Sequence, residues 1–477
     1  MISVTLQPFS AGQELAALLG DLAATVLAAL PPAVCAGALI TLPHASPAPG
    51  ADGVHARLTS DTLPWPAAPL DVVVVADALW SLEPLALLNQ AFDRLADGAR
   101  LVVLGEFSVR RTRLEYEPLP MVSHFVAQAE RAGFKLVEPQ ALSPAGEVER
   151  ARFLLVFERS AAPRWRLHTL RPEDAPAMRR LFEAAFGHPM SQALWEWKYG
   201  DGRGHAVWCA ADGDMVGHLG LMRRTAIWQG EQIAISQYGD AMIRADQRGE
   251  MHGPYFLMVS TLTELQIGRG SGCVMGFAFV FERQMRKIEY LKLGRRIDHM
   301  VQYEWPSQQR RAFASWATRP LVLPTDAACL DRLWTAMQAD LRNVLVGMRD
   351  AAYWRQRYVD HPAIRYELHL VYHRWTRRPL AALALKFEQE RAVLVDWVAP
   401  LRATPAIIEA GRDLAQRSGK ATLHTWITAG QSAALQVASP TVHDLDVLIH
   451  YTTWTPTPDA SAMHGRWWLT MGDTDYL

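Results

Sequence analysis

Apolar residues fall into three successive patterns along this chain. Over residues 1–160 they come in short unbroken runs. Asp71-Val72-Val73-Val74-Val75-Ala76-Asp77 sets four β-branched residues between carboxylates, the pattern of a parallel strand buried on both faces. Leu82, Leu85, Leu88 and Phe92 recur at three- and four-residue steps and predict an amphipathic helix next. Asp97-Gly98 predicts a turn into a second strand, Leu101-Val102-Val103-Leu104. A helix about Phe125 to Ala132, stopped by Gly133, leads to closing strands at Phe134-Lys135-Leu136-Val137 and Phe153-Leu154-Leu155-Val156-Phe157. Strands alternating with helices in this way predict an α/β layer.

From residue 164 the pattern changes. Pro172, with Glu173 and Asp174 beside it, opens a helix carried on by Ala177, Leu181 and Ala185. Two apolar runs, Ala206 to Ala210 and Met215 to Leu221, flank Asp212-Gly213-Asp214 and predict a hairpin. A longer strand, Ser236 to Arg244, enters the polar loop Ala245 to Pro254 and then a helix from about Tyr255 to Gln266. Such a strand, loop and helix can turn backbone N–H groups toward a phosphate.

The third stretch repeats part of the second. Trp195-Glu196-Trp197-Lys198-Tyr199-Gly200-Asp201 and Trp354-Arg355-Gln356-Arg357-Tyr358-Val359-Asp360 share Trp, then a base, Tyr and Asp at the same steps. Strand, turn and strand follow each, at Ala206 to Leu221 and at Glu367 to Leu385. The correspondence reads as a duplication. Joints at Ala161-Ala162-Pro163 and Trp305-Pro306 divide the chain into 1–160, 164–305 and 306–477.

Composition narrows the class. A chain of 477 residues has room for about three domains. Half of the residues are apolar, 20% are charged and the net charge is −1, which excludes a disordered or polyanion-binding chain, and no nucleic-acid partner is expected. Six lysines against 42 arginines reflect a GC-rich genome. Cys35, Cys209, Cys273 and Cys329 lack CxxC spacing, which argues against a disulfide framework or a zinc site and fits a reducing cytoplasm. The apolar stretch Leu15 to Leu42 is interrupted by Asp21 and Pro31-Pro32 with no basic segment before it, so neither a signal peptide nor membrane insertion is expected.

Two resemblances follow from these segments. Leu63-Pro64-Trp65-Pro66, Asp71 to Leu79, Leu95 to Val103 and the Ala132-Gly133-Phe134 step make the first region resemble the C-terminal half of a class I S-adenosylmethionine methyltransferase. That family sets a glycine-rich turn after its first strand, because glycine lets the backbone approach the nucleoside. Here the candidate first strand, Gly37 to Leu42, enters Pro43-His44-Ala45-Ser46-Pro47-Ala48-Pro49-Gly50, whose three prolines oppose that turn. The expectation is a truncated Rossmann-like module that no longer binds S-adenosylmethionine and serves in docking or as a scaffold.

The second region resembles the GCN5-related N-acetyltransferase (GNAT) superfamily. In that family the loop after the fourth strand reads Arg or Gln, two residues, Gly, one residue, Gly or Ala, and holds the coenzyme A pyrophosphate. Arg248 and Gly253 match its ends in Gln247-Arg248-Gly249-Glu250-Met251-His252-Gly253, and Met251 replaces the middle glycine. Gly276-Phe277-Ala278-Phe279 followed by Glu289-Tyr290-Leu291-Lys292-Leu293-Gly294 matches a second family signature, and Arg295 stands where Phe is usual. The resemblance implies acetyl-CoA or another acyl-CoA bound by Met242, Ile243, Arg244, Arg248, Gly249, Glu250, Met251, His252 and Gly253. It further implies that Tyr290 protonates the leaving thiolate and that Asp240 is the base, ahead of Glu264 and His252. An oxyanion donor is expected among the amides of Met242 to Arg244.

In the third region the equivalent strand, Val393 to Val398, enters Ala399-Pro400-Leu401-Arg402-Ala403-Thr404-Pro405 without a glycine, so no coenzyme A is expected there. Trp195, Trp197, Trp354 and Trp397 suit a core better than a sugar platform. The fold class expected is α/β and α+β: a truncated methyltransferase-like module and two GNAT-fold domains. The segment Arg466 to Asp475 resembles the end of tandem proteins associated with bacterial surface polysaccharide synthesis, which implies a small-molecule or sugar acceptor, an amino sugar among them. A homodimer is compatible with this reading. The rival is a non-catalytic scaffold of degenerate enzyme domains, favoured by Met251 and opposed by Arg248, Gly253 and Tyr290.

Overall fold

The computed structural model describes residues 5–9, 26, 28, 36–41, 65–67, 69–77, 84–109, 121–142, 150–200, 204–211, 213–249, 253–266, 273–452 and 460–474. The chain is mixed α/β and divides into two units. One holds Met1–Met190, Gly204–Leu221 and Asp240–Cys273, and the other Ser191–Arg203, Met222–Gly239 and Val274–Leu477. This division does not follow the joints at 161–163 and 305–306. Each joint falls inside a unit, and the second region contributes segments to both.

The first unit contains a six-stranded sheet of β1 (Thr5–Phe9), β2 (Gly37–Thr41), β3 (Leu70–Ala76), β4 (Leu95–Ser108), β5 (Phe134–Ala141) and β6 (Arg150–Arg159), in the order β1-β2-β3-β4-β6-β5. Strands β2, β3 and β4 are parallel, whereas β6 runs antiparallel to both β4 and β5. The valine run in β3 serves both faces. Val73 and Val75 pack with Leu87, Leu88 and Phe92 of helix α1 (Pro84–Arg94) and with Phe125 of α2 (Val122–Arg131), while Val72 and Val74 pack with Leu39, Val102 and Leu154. This double burial is why the strand reads as a continuous apolar run.

Asp97-Gly98 does not separate helix from strand as expected. Helix α1 ends at Arg94 and β4 starts at Leu95. The pairing then jumps from Leu70↔Leu95 to Val72↔Arg100, so the turn residues form a bulge within the strand, with Gly98 at φ 74°.

The same unit contains β7 (Arg166–Thr169), α3 (Ala175–Phe186) after a 3-10 turn at Pro172–Asp174, and β8 (Gly204–Ala211). Helix α4 (Gln192–Tyr199) belongs to the second unit. Strands β9 (Asp214–Trp228) and β10 (Glu231–Ile243) have residues in both units, and α5 (Pro254–Gln266) follows in the first.

The second unit adds β11 (Cys273–Val280), α6 (Glu282–Tyr290), β12 (Arg295–Pro306), β13 (Trp316–Pro320), α7 (Ala327–Asp340), β14 (Leu345–Gly347), β15 (Glu367–His373), β16 (Pro379–Phe387), β17 (Arg391–Val398), α8 (Thr404–Arg417), β18 (Thr422–Thr428), β19 (Thr441–Thr452) and β20 (Trp467–Trp468). Its strand order is β13-β15-β16-β17-β18-β12-β19-β11-β10-β9-β14-β20. Strand β19 lies between β11 and β12, antiparallel to both, so strands from the second and third sequence regions are interleaved. Trp354 and Trp397 are in its core, as the sequence suggested, and Trp195 is buried too. The repeated Trp motif is not built identically. The first copy is α4, whereas the second is a short helix, Ala351–Trp354, widening into a π-turn over Arg355–Val359.

Candidate functional site

The expected phosphate-loop residues are grouped around the end of β10. Asp240 has φ 48° within the strand, a conformation that interrupts regular pairing. Its carbonyl accepts a hydrogen bond from Nδ1–H of buried His218 at 2.9 Å. Met242 is buried, and the Arg244 amide donates to the Val216 carbonyl at 2.8 Å. That bond removes Arg244 from the expected oxyanion donors.

A 3-10 turn over Ala245–Gln247 follows. The Arg244 guanidinium grips Asp246 at 2.7 and 2.9 Å and lies 3.6 Å from Asp214, so its charge is largely matched inside the loop. The bonds from Arg244 hold the Asp246 carboxyl well below the usual carboxylate range. Gln247 accepts a bond from the Trp165 indole at 3.0 Å. Arg248 is exposed and its Nε donates to the Ile243 carbonyl at 2.9 Å, closing the loop on the strand that precedes it.

Gly249 has φ 104°, nothing stands within 4 Å of where a Cβ would be, and its amide has no acceptor among the described residues. Only glycine adopts this geometry without strain. Helix α5 then begins at Pro254 behind buried Gly253. An unclaimed glycine amide ahead of a helix N-terminus suits a phosphate oxygen. Glu250, Met251 and His252 lie outside the described residues, as does the side chain of Glu264.

Tyr290 belongs to the second unit, where it is the last residue of α6 and 70% exposed. Its turn is firmly built. Leu291, Lys292 and Leu293 amides return to Lys287, Glu289 and Ile288 carbonyls, and Lys292 takes φ 56°. His450 of β19 is buried against Gly294. Burial pushes its imidazole down to about 4, so it is neutral near pH 7.

The third region has no such loop. Strands β17 and β18 pair in parallel only from Arg391↔Thr422 to Val393↔His424. Beyond that, residues 469–474 lie between them. Thr470 bridges Ile427, and its hydroxyl donates to Asp396 on β17 at 3.1 Å. A Cβ on Gly472 would collide with the Tyr358 hydroxyl and stand 3.0 Å from the Asp396 Cβ, so glycine is needed for the close approach.

The segment is held by charge. Wholly buried Arg349 donates to Asp396 at 3.0 and 3.1 Å and to Asp473 at 2.5 Å. Tyr358 donates to Asp396 at 2.9 Å, and Arg357 donates to the carbonyls of Gly472 and Thr474 at 2.9 and 2.8 Å. Sequence reasoning assigned no role to Arg349, Asp396 or Asp473. The available signal was Asp396, a lone carboxylate inside the apolar strand Val393-Leu394-Val395-Asp396-Trp397-Val398.

Other chemistry is sparse among the described residues. Cys209, Cys273 and Cys329 are free, and burial pushes the Cys209 thiol up to about 12. Among the described residues no group of three or more metal-binding side chains occurs, and no helix is long and apolar enough to cross a membrane.

No family model and no curated protein matches the chain. Among solved structures, a conserved protein of unknown function from Enterococcus faecalis V583, called a probable N-acyltransferase, has TM-score 0.47 and 11% identity over 61% of this chain and 72% of that one. A GCN5-related N-acetyltransferase from Kribbella flavida has TM-score 0.47 and 14% identity over 61% and 71%. Saccharomyces cerevisiae N-myristoyltransferase with bound myristoyl-CoA and inhibitors has TM-score 0.42 and 8% identity over 66% and 85%. All three likenesses are distant.

Proposed function

We propose that the protein is an acyl-CoA-dependent acyltransferase that moves an acetyl or other acyl group to an amine or hydroxyl, with an amino sugar of surface polysaccharide synthesis as the acceptor class. The observation that carries this reading is the loop after β10, with its Arg248 closure and the left-handed Gly249 ahead of α5, whose amide has no acceptor among the described residues. The amides from Gly249 to Gly253 and the α5 N-terminus would hold the coenzyme A pyrophosphate. The acyl group itself is supplied by the co-substrate.

The reaction needs three things from the chain. A base takes the acceptor's proton, and Asp240 is assigned that role. An amide donor stabilises the oxyanion formed when the acceptor attacks the thioester carbonyl, and with Arg244 engaged the role passes to Met242 or Ile243. Tyr290 protonates the sulfur as the C–S bond breaks. Its exposure at the end of α6 supports access to a diffusible substrate.

The β2, β3, β4, β6, β5 arrangement, parallel and then antiparallel, supports a methyltransferase-like origin for the first sheet. Its assigned role is docking, without S-adenosylmethionine; the loop after β2 lies outside the described residues. The third region is assigned no coenzyme A, because residues 469–474 lie between its diverging strands. We place the protein in the cytoplasm.

The test is thermal unfolding with acetyl-CoA and a longer-chain acyl-CoA. A ligand at 100 times its dissociation constant adds about 2.7 kcal/mol of stability. No shift with either at millimolar concentration rejects the transferase in favour of the scaffold, and a shift with S-adenosylmethionine rejects the role given to the first sheet. Tyr290→Phe should bind acyl-CoA normally while turnover falls about a hundredfold; unchanged turnover removes Tyr290 from the mechanism.

A further inference from the structure

One corner of the second unit exposes aromatic rings and unpaired arginines together. Phe313, in the loop before β13, is 92% exposed, and Trp375, in the turn between β15 and β16, is 65% exposed. The two loops are tied to each other. The Arg374 amide donates to the Ser315 carbonyl at 2.7 Å, its guanidinium donates to the Ala312 carbonyl at 3.0 Å, and Trp316 pairs with His373.

The turn is pre-ordered as well. His373 Nδ1 accepts from the Thr376 amide at 3.2 Å, Arg377 takes φ 60°, and its amide returns to the His373 carbonyl at 2.8 Å. Trp375 is therefore presented on a built turn. Arg311 is two residues before Phe313, Arg374, Arg377 and Arg378 lie within three residues of Trp375, and all four are exposed. None of the four has a carboxylate within ion-pair distance among the described residues. Arg377 lies 4.9 Å from the Tyr372 ring centroid, and its charge still faces water.

Neither the fold nor the proposed chemistry needs this arrangement. A phenylalanine so exposed gains nothing from packing, and four arginines without acidic partners repel one another in water. Both costs fall at a surface offering anionic phosphates above hydrocarbon. There, arginines bind the phosphates while rings enter the headgroup boundary. A nucleic acid is less well matched. Strand-tracking proteins use a basic groove with aromatic platforms for successive bases, whereas these charges sit on two adjoining loops.

We propose that this corner docks the protein on an anionic lipid bilayer, with Phe313 and Trp375 inserted to headgroup depth and Arg311, Arg374, Arg377 and Arg378 on lipid phosphates. This is peripheral binding and requires no membrane-spanning segment. Docking is independent of the acyltransferase reading.

The experiment is co-sedimentation of the full chain with large vesicles of phosphatidylcholine alone or with one-third phosphatidylglycerol, at low and high salt. Binding should require the anionic lipid and weaken with salt. Phe313→Ser with Trp375→Ser should weaken it at least about tenfold. Arg311→Gln, Arg377→Gln and Arg378→Gln together should weaken it about a hundredfold, at roughly fivefold per arginine. These side chains are at the surface, so both variants should melt as wild type. The proposal is overturned if wild type binds neither vesicle, if either folded variant binds like wild type, or if a DNA duplex binds the corner and anionic vesicles do not.

Discussion

Strands β10 and β17 each lead into a 3-10 turn and a helix, yet six residues separate turn from helix after β10 and none do after β17. The extra residues, 248–253, include Gly249, whose amide has no acceptor among the described residues. Without them, the chain passes directly from Ala403 to Thr404, where α8 starts with Pro405 in its first turn. The difference extends to what lies beside each strand. Next to β17, residues 469–474 and their buried ion pairs occupy the space that diverging parallel strands leave. One fold element can thus carry an open loop or close into internal packing, and the choice depends on a short insertion and on what fills the adjacent gap.

The largest expected effect tests that packing. Asp396→Ala removes the carboxylate that Arg349, Tyr358 and Thr470 all approach and leaves a buried guanidinium with Asp473 as its remaining ion-pair partner. Breaking a buried pair from one side costs about 3–5 kcal/mol, measurable by urea unfolding at fixed pH. Arg349→Met combined with Asp396→Leu should recover part of the loss, because the unpaired guanidinium is gone while Asp473 keeps Arg224 at 3.7 Å. A loss below about 1 kcal/mol for Asp396→Ala would mean that the network does not fasten the tail, and the contrast with β10 would lose its physical basis.

Acid should distinguish the surroundings of the two strands next. Near β17 the buried Arg349 sits between two carboxylates, whereas near β10 the ring of His450, 6.2 Å from Tyr238, is neutral. An unfolded histidine takes its proton near pH 6.5, while His450 resists it until about 4. Between these values the unfolded chain binds the additional proton, so stability is complete above 6.5 and falls as pH drops toward 4. His450 alone accounts for about 3 kcal/mol of that fall. His450→Phe should flatten the stability profile from pH 6.5 to 4 by about that amount, read by denaturant titration; an unchanged slope would locate the acid sensitivity elsewhere.

These tests depend on residues that differ in how openly the sequence declares them. The Val72 to Val75 run, the Gly213 hairpin and the β10 loop are local, and local patterns of burial and turn chemistry are written in neighbouring residues. The Arg349 network is not. Arg349, Asp396 and Asp473 are 47 and 77 positions apart in turn, so nothing in the spacing links them until β17 and the tail are folded together. The position of β19 between β11 and β12 is equally hidden. A duplication suggests two separable domains, but pairing across 150 or so residues is a choice among strand edges that periodicity does not encode. Tyr290 and Arg248 were read from motif order. The engagement of the Arg244 amide by Val216 was missed because it depends on the register of a neighbouring strand.

The smallest effect is the sharpest test of the loop. Arg248→Ala removes the bond to the Ile243 carbonyl and with it about 1 kcal/mol of loop order, which should weaken acetyl-CoA binding about fivefold. Arg402 occupies the turn after β17, where no acyl-CoA is proposed to bind, so Arg402→Ala should leave affinity unchanged. Isothermal titration on the two variants reads the difference directly, and both substitutions are small enough to leave the melting temperature within a few degrees of wild type. Equal weakening by both would mean that the loops share the ligand. No weakening by Arg248→Ala, with binding otherwise intact, would mean that Gly249 and the α5 N-terminus hold the phosphate without the closure that Arg248 provides.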